Sequence, residues 1–294
     1  MGGGTYSTET RSARAMTMGF YDKAPDEIFI QNKKREIHEA MEPSKALLRE
    51  SRDSETHPNS VPIIIALDTT GSMGDIPHAL VKDGLPDMVG SIIQKGCPDP
   101  AILFLGVGDH EYDSAPLQVG QFESGDAELD LWLTRTWIEG KGGGNAGESY
   151  HLAWYFGAFH TETDAFEKRG EKGFLFTIGD EPCLSNLPSR TIEELMGQPS
   201  QSGYTERELL EAAQKKYEVF HIHVMQGSNG RRSLPYWENL LGQHCIVANH
   251  YEKVGTIIAD TVISHYKNKV SYNPSNPVIQ DTKTDNTKPE EEIL

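Results

Sequence analysis

Hydrophobic and polar positions switch along this chain between an unbroken or two-residue period and a helical one, and the switches mark out its elements. "VPIIIALD" (61–68) is apolar without interruption, as a strand covered on both faces requires. "DIPHALVKDGLPDMVGSIIQ" follows, with Ile76, Leu80, Met88 and Ile92 at helical spacing, and Pro86, lacking a backbone donor, predicts a kink in mid-run. "AILFLGVGD" is the next strand. "PLQVGQF" comes too soon after it for a helical crossover, which predicts an antiparallel edge strand. "DAELDLWLTRT" predicts a helix, "EGKGGGNAGES" a glycine-rich loop, and "YHLAWYFGAFH" an apolar helix whose aromatic face suits core packing. "GFLFTIGD" is a strand, "TERELLEAAQKKY" an amphipathic helix and "EVFHIHVMQ" a further strand; "HCIVAN" and the helix "VGTIIADTVISHYK" close the unit. The alternation predicts an α/β fold: a doubly wound, mostly parallel sheet with one antiparallel edge strand and helices on both faces.

The flanks lack this pattern. Residues 1–60 read as an N-terminal extension and linker, partly disordered, in which "NKKREIHEAM" predicts a short helix ending near Pro43. Residues 61–268 form the domain, and 269–294, rich in Pro, Asn, Thr and Glu, read as a disordered acidic tail.

Charge narrows the function. With 44 acidic against 27 basic residues the formal charge is −17, which argues against nucleic-acid and anionic-membrane partners, since both need a basic face. No stretch is long and apolar enough to span a bilayer, and the N-terminus has no apolar signal region. Cys97, Cys183 and Cys245 are odd in number, widely spaced and without zinc-site spacing, so reduced thiols and a cytoplasmic location are expected.

In open parallel sheets ligands bind beyond the carboxyl ends of the strands. Three strands here end in aspartate: Asp68, Asp109 and Asp180. Three acids at one sheet edge repel unless something positive sits among them. In "DTTGS", Asp68, Thr70 and Ser72 alternate, so an extended loop turns all three toward one point, and Gly71 lets the backbone bend. Carboxylate plus hydroxyl oxygens make a hard site suited to Mg²⁺ or Mn²⁺, and less selectively to Ca²⁺. Asp109, His110, Glu111 and Asp113 form a second polar cluster, "GDHEYD", read as a hydrated, locally capped loop whose first three residues are available for contact with a partner. His221 and His223 share a strand face and are expected as packed, hydrogen-bonded side chains. The "GGG" at 142–144 lacks the Gly-Lys-Ser/Thr ending of a phosphate loop, and there is no Gly-x-Ser-x-Gly elbow.

The D-x-[ST]-x-S loop, placed after the first core strand and before a helix, resembles the metal-ion-dependent adhesion site of von Willebrand factor A domains, and the resemblance extends over about residues 60 to 268. It implies Thr70 and Ser72 as direct ligands, Asp68 acting through water, and Asp180 in "TIGDEP" completing the site. The family's second loop carries a threonine; here "GKGGGNAGES" offers Asn145 as the nearest substitute, then Glu148, with Ser149 also in reach. The GGG-polar-x-x-E form of this loop is similar to that of bacterial and α-kinase-associated members. A directly bound Glu148 would lower the electrophilicity of the ion. The implied function is non-enzymatic: a cation that captures an Asp or Glu of a partner protein, in intracellular members of prokaryotic style often beside an AAA+ ATPase or kinase system.

Two other readings compete. "DTTGS" also resembles the D-x-[DT]-G-T loop of haloacid-dehalogenase-like phosphatases and phosphotransferases, with Asp68 as nucleophile, but the second acid is replaced by Thr70 and no strand-end lysine is evident. A scaffold protein with a purely structural ion is the third.

Overall fold

The computed structural model describes residues 4–71, 73, 75–140, 144–225 and 229–271. Its centre is a six-stranded sheet built from β1 (Val61–Asp68), β2 (Pro100–Val107), β3 (Leu117–Val119), β4 (Gly173–Gly179), β5 (Tyr217–Val224) and β6 (Cys245–Ala248), in the spatial order β6-β5-β4-β1-β2-β3. Neighbours run parallel except β3, which pairs antiparallel with β2, Leu105 opposite Val119. The expected α/β class, the mostly parallel sheet and the antiparallel edge strand are all present.

The longer helices are α1 (Thr8–Met18), α2 (Asp126–Thr134), α3 (His151–Phe159), α4 (Glu206–Gln214), α5 (Asn229–Leu241) and α6 (Val254–Ser271). β1 is buried along its whole length because alternate residues serve two cores. Ile63, Ile65 and Leu67 pack on the α6 side; Ile64 and Ala66 pack under α3 and α4. The run after β1 is helical, but around Pro86 it loosens into wide π-type turns, Leu80–Gly84 and Pro86–Gly90, instead of a sharp kink. A residue with no N–H to donate is absorbed by shifting its neighbours' bonds one residue further on.

Residues 4–60 differ from the expected loose extension. α1 docks on α2 through charge. Arg11 is fully buried, its Nε and Nη2 3.1 and 3.0 Å from Asp130 Oδ1, its Nη1 2.6 Å from the Lys82 carbonyl, and Nη2 also on the Val81 carbonyl. Arg14 adds bonds to Asp130 Oδ2, at 3.0 Å, and to Asp126. Burial pushes the Asp130 carboxyl upward in pKa while Arg11 and Arg14 pull it down. Phe29 lies fully in the core, and Arg49–Ser51 pairs in parallel with Thr161–Thr163. The helix expected over "NKKREIHEAM" is a single turn, Gln31–Lys34, ended by Arg35 in the left-handed region (φ 56°), followed by the 3₁₀ turn Glu39–Met41. Gln31 donates its side-chain amide to the Glu36 carbonyl at 2.9 Å, a local closure that competes with helix continuation. Of the expected acidic tail, residues 272–294 lie outside the described residues.

Arg11→Ala leaves Asp130 buried and two helix carbonyls without their donor. It is expected to cost about 3–5 kcal/mol in denaturant unfolding, the range for breaking a buried pair from one side. Arg14→Ala, at a partly exposed site, should cost clearly less; equal losses would show that burial is not what makes Arg11 matter.

Candidate functional site

The order of strands reverses at β1, so the connections to β2 and from β4 leave the sheet in opposite directions and open a crevice between the carboxyl ends of β1 and β4. Leu67 sits opposite Ile178, so Asp180 emerges one residue beyond the level of Asp68 at the same end of the sheet. Both are almost completely buried, each 1% exposed.

Beyond β1 the ladder continues one residue further, with Thr69 N–H on the Val107 carbonyl at 2.9 Å. Thr70 then folds back. Its N–H and its hydroxyl both donate to Asp68 Oδ1, at 2.9 and 2.5 Å, while Tyr150 donates its hydroxyl to Asp68 Oδ2 at 2.7 Å. Because the Thr70 proton is committed to Asp68, the oxygen lone pairs of that hydroxyl are left to face elsewhere. Ser72, the third member expected in this loop, lies outside the described residues.

The loop after β4 is held from α5. Ser233 donates to the Asp180 carbonyl, and Trp237 Nε1 to the Glu181 carbonyl at 2.9 Å. Glu148 is stitched to the same loop by its backbone: its N–H reaches the Pro182 carbonyl and its carbonyl receives Leu184 N–H, each at 2.9 Å. Its side chain is 5% exposed, and Oε2 finds no hydrogen-bond partner among the described residues.

Asn145 Nδ2 donates to Glu111 Oε2 at 2.8 Å, which ties its amide nitrogen to the "GDHEYD" loop, while Glu148 is buried. Ser149 ties the same loops together, accepting His110 N–H at 2.9 Å and meeting His110 Nδ1 at 2.7 Å. Within "GDHEYD" the carboxylates cap backbone donors, Asp109 taking Glu111 N–H and Asp113 taking Asp109 N–H, each at 2.8 Å. Asp109, His110 and Glu111 therefore form a rim that braces the glycine-rich loop. Tyr112, half exposed, lies so close to Gly144 that a side chain there would run into its ring, 2.5 Å from the first added carbon.

Electrostatics reports the crowding. Burial raises the Asp68 carboxyl to about 7, the Asp180 charge adds to this, and the bonds from Thr70 and Tyr150 oppose it. Glu148 is raised further, first by burial and then by Asp68, Asp113, Asp109 and Glu181. Among the described residues no three or more His, Cys, Asp or Glu converge into a metal cage by themselves. A cation here would depend on hydroxyl as well as carboxylate oxygens. The donors fit one: they are hard oxygens, and the buried Glu148 Oε2 has no hydrogen-bond partner among the described residues.

Other sequence candidates have plain structural settings. His221 Nδ1 meets Thr177 Oγ1 at 2.9 Å and its ring stacks on Trp237 at 3.5 Å; His223 Nε2 meets the Gly230 carbonyl at 2.6 Å. Cys183 is buried and its thiol is pushed well above its ordinary pKa by burial, so thiolate chemistry is suppressed. The sequence reading missed Tyr150, Ser233 and Trp237. Tyr150 opens a run whose composition explains itself as core, and nothing in its spacing points to a neighbour 82 positions away.

No family model and no curated protein matches this chain. Solved structures that superpose on it include the pilus adhesin SpaC of Lactobacillus rhamnosus GG in an open conformation, at 14% identity and a TM-score of 0.47, covering 74% of this chain and 31% of that one. Others are the mussel byssus proximal thread matrix protein 1, at 12% and 0.44 over 69% of this chain and 46% of that one, and the vWF domain of the type V pili tip protein Mfa5 of Porphyromonas gingivalis, at 8% and 0.42 over 72% and 96%. The chain thus spans about a third of the first adhesin and under half of the byssus protein. At this level of similarity none of them assigns it a family, ligand or partner. Among the described residues no helix is long and apolar enough to cross a membrane.

The raised acids predict a pH dependence. A carboxyl whose pKa is higher folded than unfolded binds more protons in the folded state, so stability is greatest at low pH and is lost as pH rises from the ordinary carboxylate range near 4 toward about 7, the value reached by Asp68. In EDTA the unfolding temperature should fall across that window. Glu148→Gln, neutral and of the same shape, should flatten the fall; an unchanged slope would mean that Glu148 ionises freely.

Proposed function

We propose that this chain is a protein-binding module of the von Willebrand A type, in which a hard divalent cation, Mg²⁺ or Mn²⁺, sits among Asp68, Thr70, Glu148 and Asp180 and captures a carboxylate of a partner protein. The observation that carries the reading is the buried carboxylate oxygen of Glu148, without a hydrogen-bond partner among the described residues and close enough to be raised by Asp68, which in turn is raised by Asp180. Thr70 and Glu148 would hold the ion by their oxygens. Asp68 and Asp180 would stand behind them, since both Asp68 oxygens already accept hydrogen bonds. When bound, the ion offers a Lewis-acidic position to an Asp or Glu of the partner.

The chain's own residues set the strength of that capture. Thr70 contributes no charge, which favours an external carboxylate; Glu148 contributes one, which weakens it. Capture is therefore expected to be moderate and to draw on neighbouring surface. A cleft of about 620 Å³ opens beside Gly71 and Asp75, floored by Trp137 and walled by the N-terminal arm at Asn32 and Arg35. Ile138 N–H donates to Asn32 Oδ1 at 2.9 Å and fixes that wall. Residues flanking the partner's acid would lie there.

The phosphotransferase reading has less support. Asp68 is buried, with both oxygens engaged, where a nucleophile needs an open approach.

Thr70→Val, which keeps the shape and removes the hydroxyl oxygen, should weaken Mg²⁺ binding about tenfold or more in calorimetric titration and leave the fold intact. Affinity capture of partners from a cell extract should succeed in Mg²⁺ and fail both in EDTA and with this variant. Capture undiminished in EDTA would overturn the metal-dependent reading, and hydrolysis of a generic phosphate ester abolished by Asp68→Asn would favour the phosphotransferase.

A further inference from the structure

One buried side chain touches all three loops of the site. Tyr150 leaves the end of the glycine-rich loop, immediately after Ser149, whose N–H is held by the Gly108 carbonyl at 3.1 Å. It is fully buried, and its ring is fixed edge-on against His221, centroids 5.3 Å apart, and Trp237, 5.5 Å. Its hydroxyl ends 2.7 Å from Asp68 Oδ2. The space it occupies exists because residue 179 is glycine: a Cβ there would fall 1.8 Å from the Tyr150 oxygen and 2.9 Å from Asp68 Oδ2.

A ring needed only to fill this space has a simpler form. Phenylalanine would bury the same carbon surface and spare a hydroxyl the loss of water. The hydroxyl is placed where it controls rotation of the Asp68 carboxylate. With Oδ2 held by Tyr150, Oδ1 is left to receive both donors of Thr70, and the Thr70 proton has one destination. The lone pairs of the Thr70 oxygen are then fixed in direction as well.

We propose that Tyr150 is a positioning residue of the cation site: through Asp68 it orients the Thr70 hydroxyl toward the ion, and Gly179 is the residue that admits it. The proposal rests on the divalent-cation reading of the site. Partners that orient metal-binding groups are commonly worth 10–100-fold in metal affinity, about the size of effect to be sought.

The test uses the full chain and Mn²⁺ alone, followed by electron paramagnetic resonance. Tyr150→Phe should bind Mn²⁺ at least about tenfold more weakly than wild type while its near-ultraviolet circular dichroism in EDTA stays native. Gly179→Ala, which displaces the hydroxyl without removing it, should lose affinity in the same direction. A metal-free arm separates the two levels of the argument: in EDTA, the unfolding effects of Tyr150→Phe and Asp68→Asn should be non-additive, as for two groups sharing one bond. Wild-type Mn²⁺ affinity in Tyr150→Phe, or additivity in EDTA, overturns the positioning role. A wild-type chain that binds no Mn²⁺ overturns the cation reading itself, and the EDTA cycle then still reports whether the Tyr150–Asp68 bond exists.

Discussion

The Asp68 carboxylate leaves the central strand at a depth water does not reach, and a charge in that position is tolerated only when other groups compensate it. Much of the surrounding structure follows from this. Thr70 turns back to give Oδ1 two donors, Tyr150 crosses from another loop to give Oδ2 a third, and residue 179 gives up its side chain to make room. Asp180 and Glu148 deepen the electrostatic demand, since each raises the cost of ionising Asp68 or is raised by it. These acids share an electrostatic cost, which a cation would offset under the proposed function.

The loops that carry these acids are fastened to one another and to rigid elements. Glu148 joins the glycine-rich loop to the loop after β4 through two backbone bonds, and α5 grips that loop by Ser233 and Trp237. Gly140 N–H reaches back to the Thr69 carbonyl at 3.2 Å, and Asn145 and Ser149 brace the outer rim against "GDHEYD". Under the proposed function, these fastenings would reduce the ordering that ligand binding has to impose. The N-terminal arm belongs to the same design. Its anchor is Arg11 with Asp130, and the arm's later residues, Asn32 and Arg35, wall the cleft beside Gly71.

Glu148 is the point at which this molecule departs most from the adhesion-site pattern. A neutral threonine in its place would leave more of the ion's charge for an external carboxylate. Were a cation bound there, a buried glutamate would instead strengthen the hold on it and soften its attraction for a guest. Under the proposed function the chain gives up some strength of capture for a more tightly held ion, and selectivity passes to the cleft and the rim.

The sequence by itself determined the architecture. The unbroken apolar runs at 61–68, 101–107 and 173–179 could only be satisfied in a covered parallel sheet, whose carboxyl edge their following aspartates mark. Local spacing was also enough to pair Asp68 with Thr70, whose hydrogen bonds the fold contains. The sequence was silent or misleading wherever the deciding contact joins distant positions. α1 carries too few apolar residues to show a helical face, because its docking depends on charge pairs with residues 112 to 119 positions away. "NKKREIHEAM" has helical spacing but closes on itself through Gln31. The choice between Asn145 and Glu148 is undecidable along the chain, since both lie in one flexible-looking loop. What the tertiary structure adds is a neighbour for the Asn145 amide nitrogen, Glu111, and a backbone bridge for Glu148, both supplied from other loops. Periodicity records which face of an element is buried; which side chains meet at its end is fixed only when the loops close over one another.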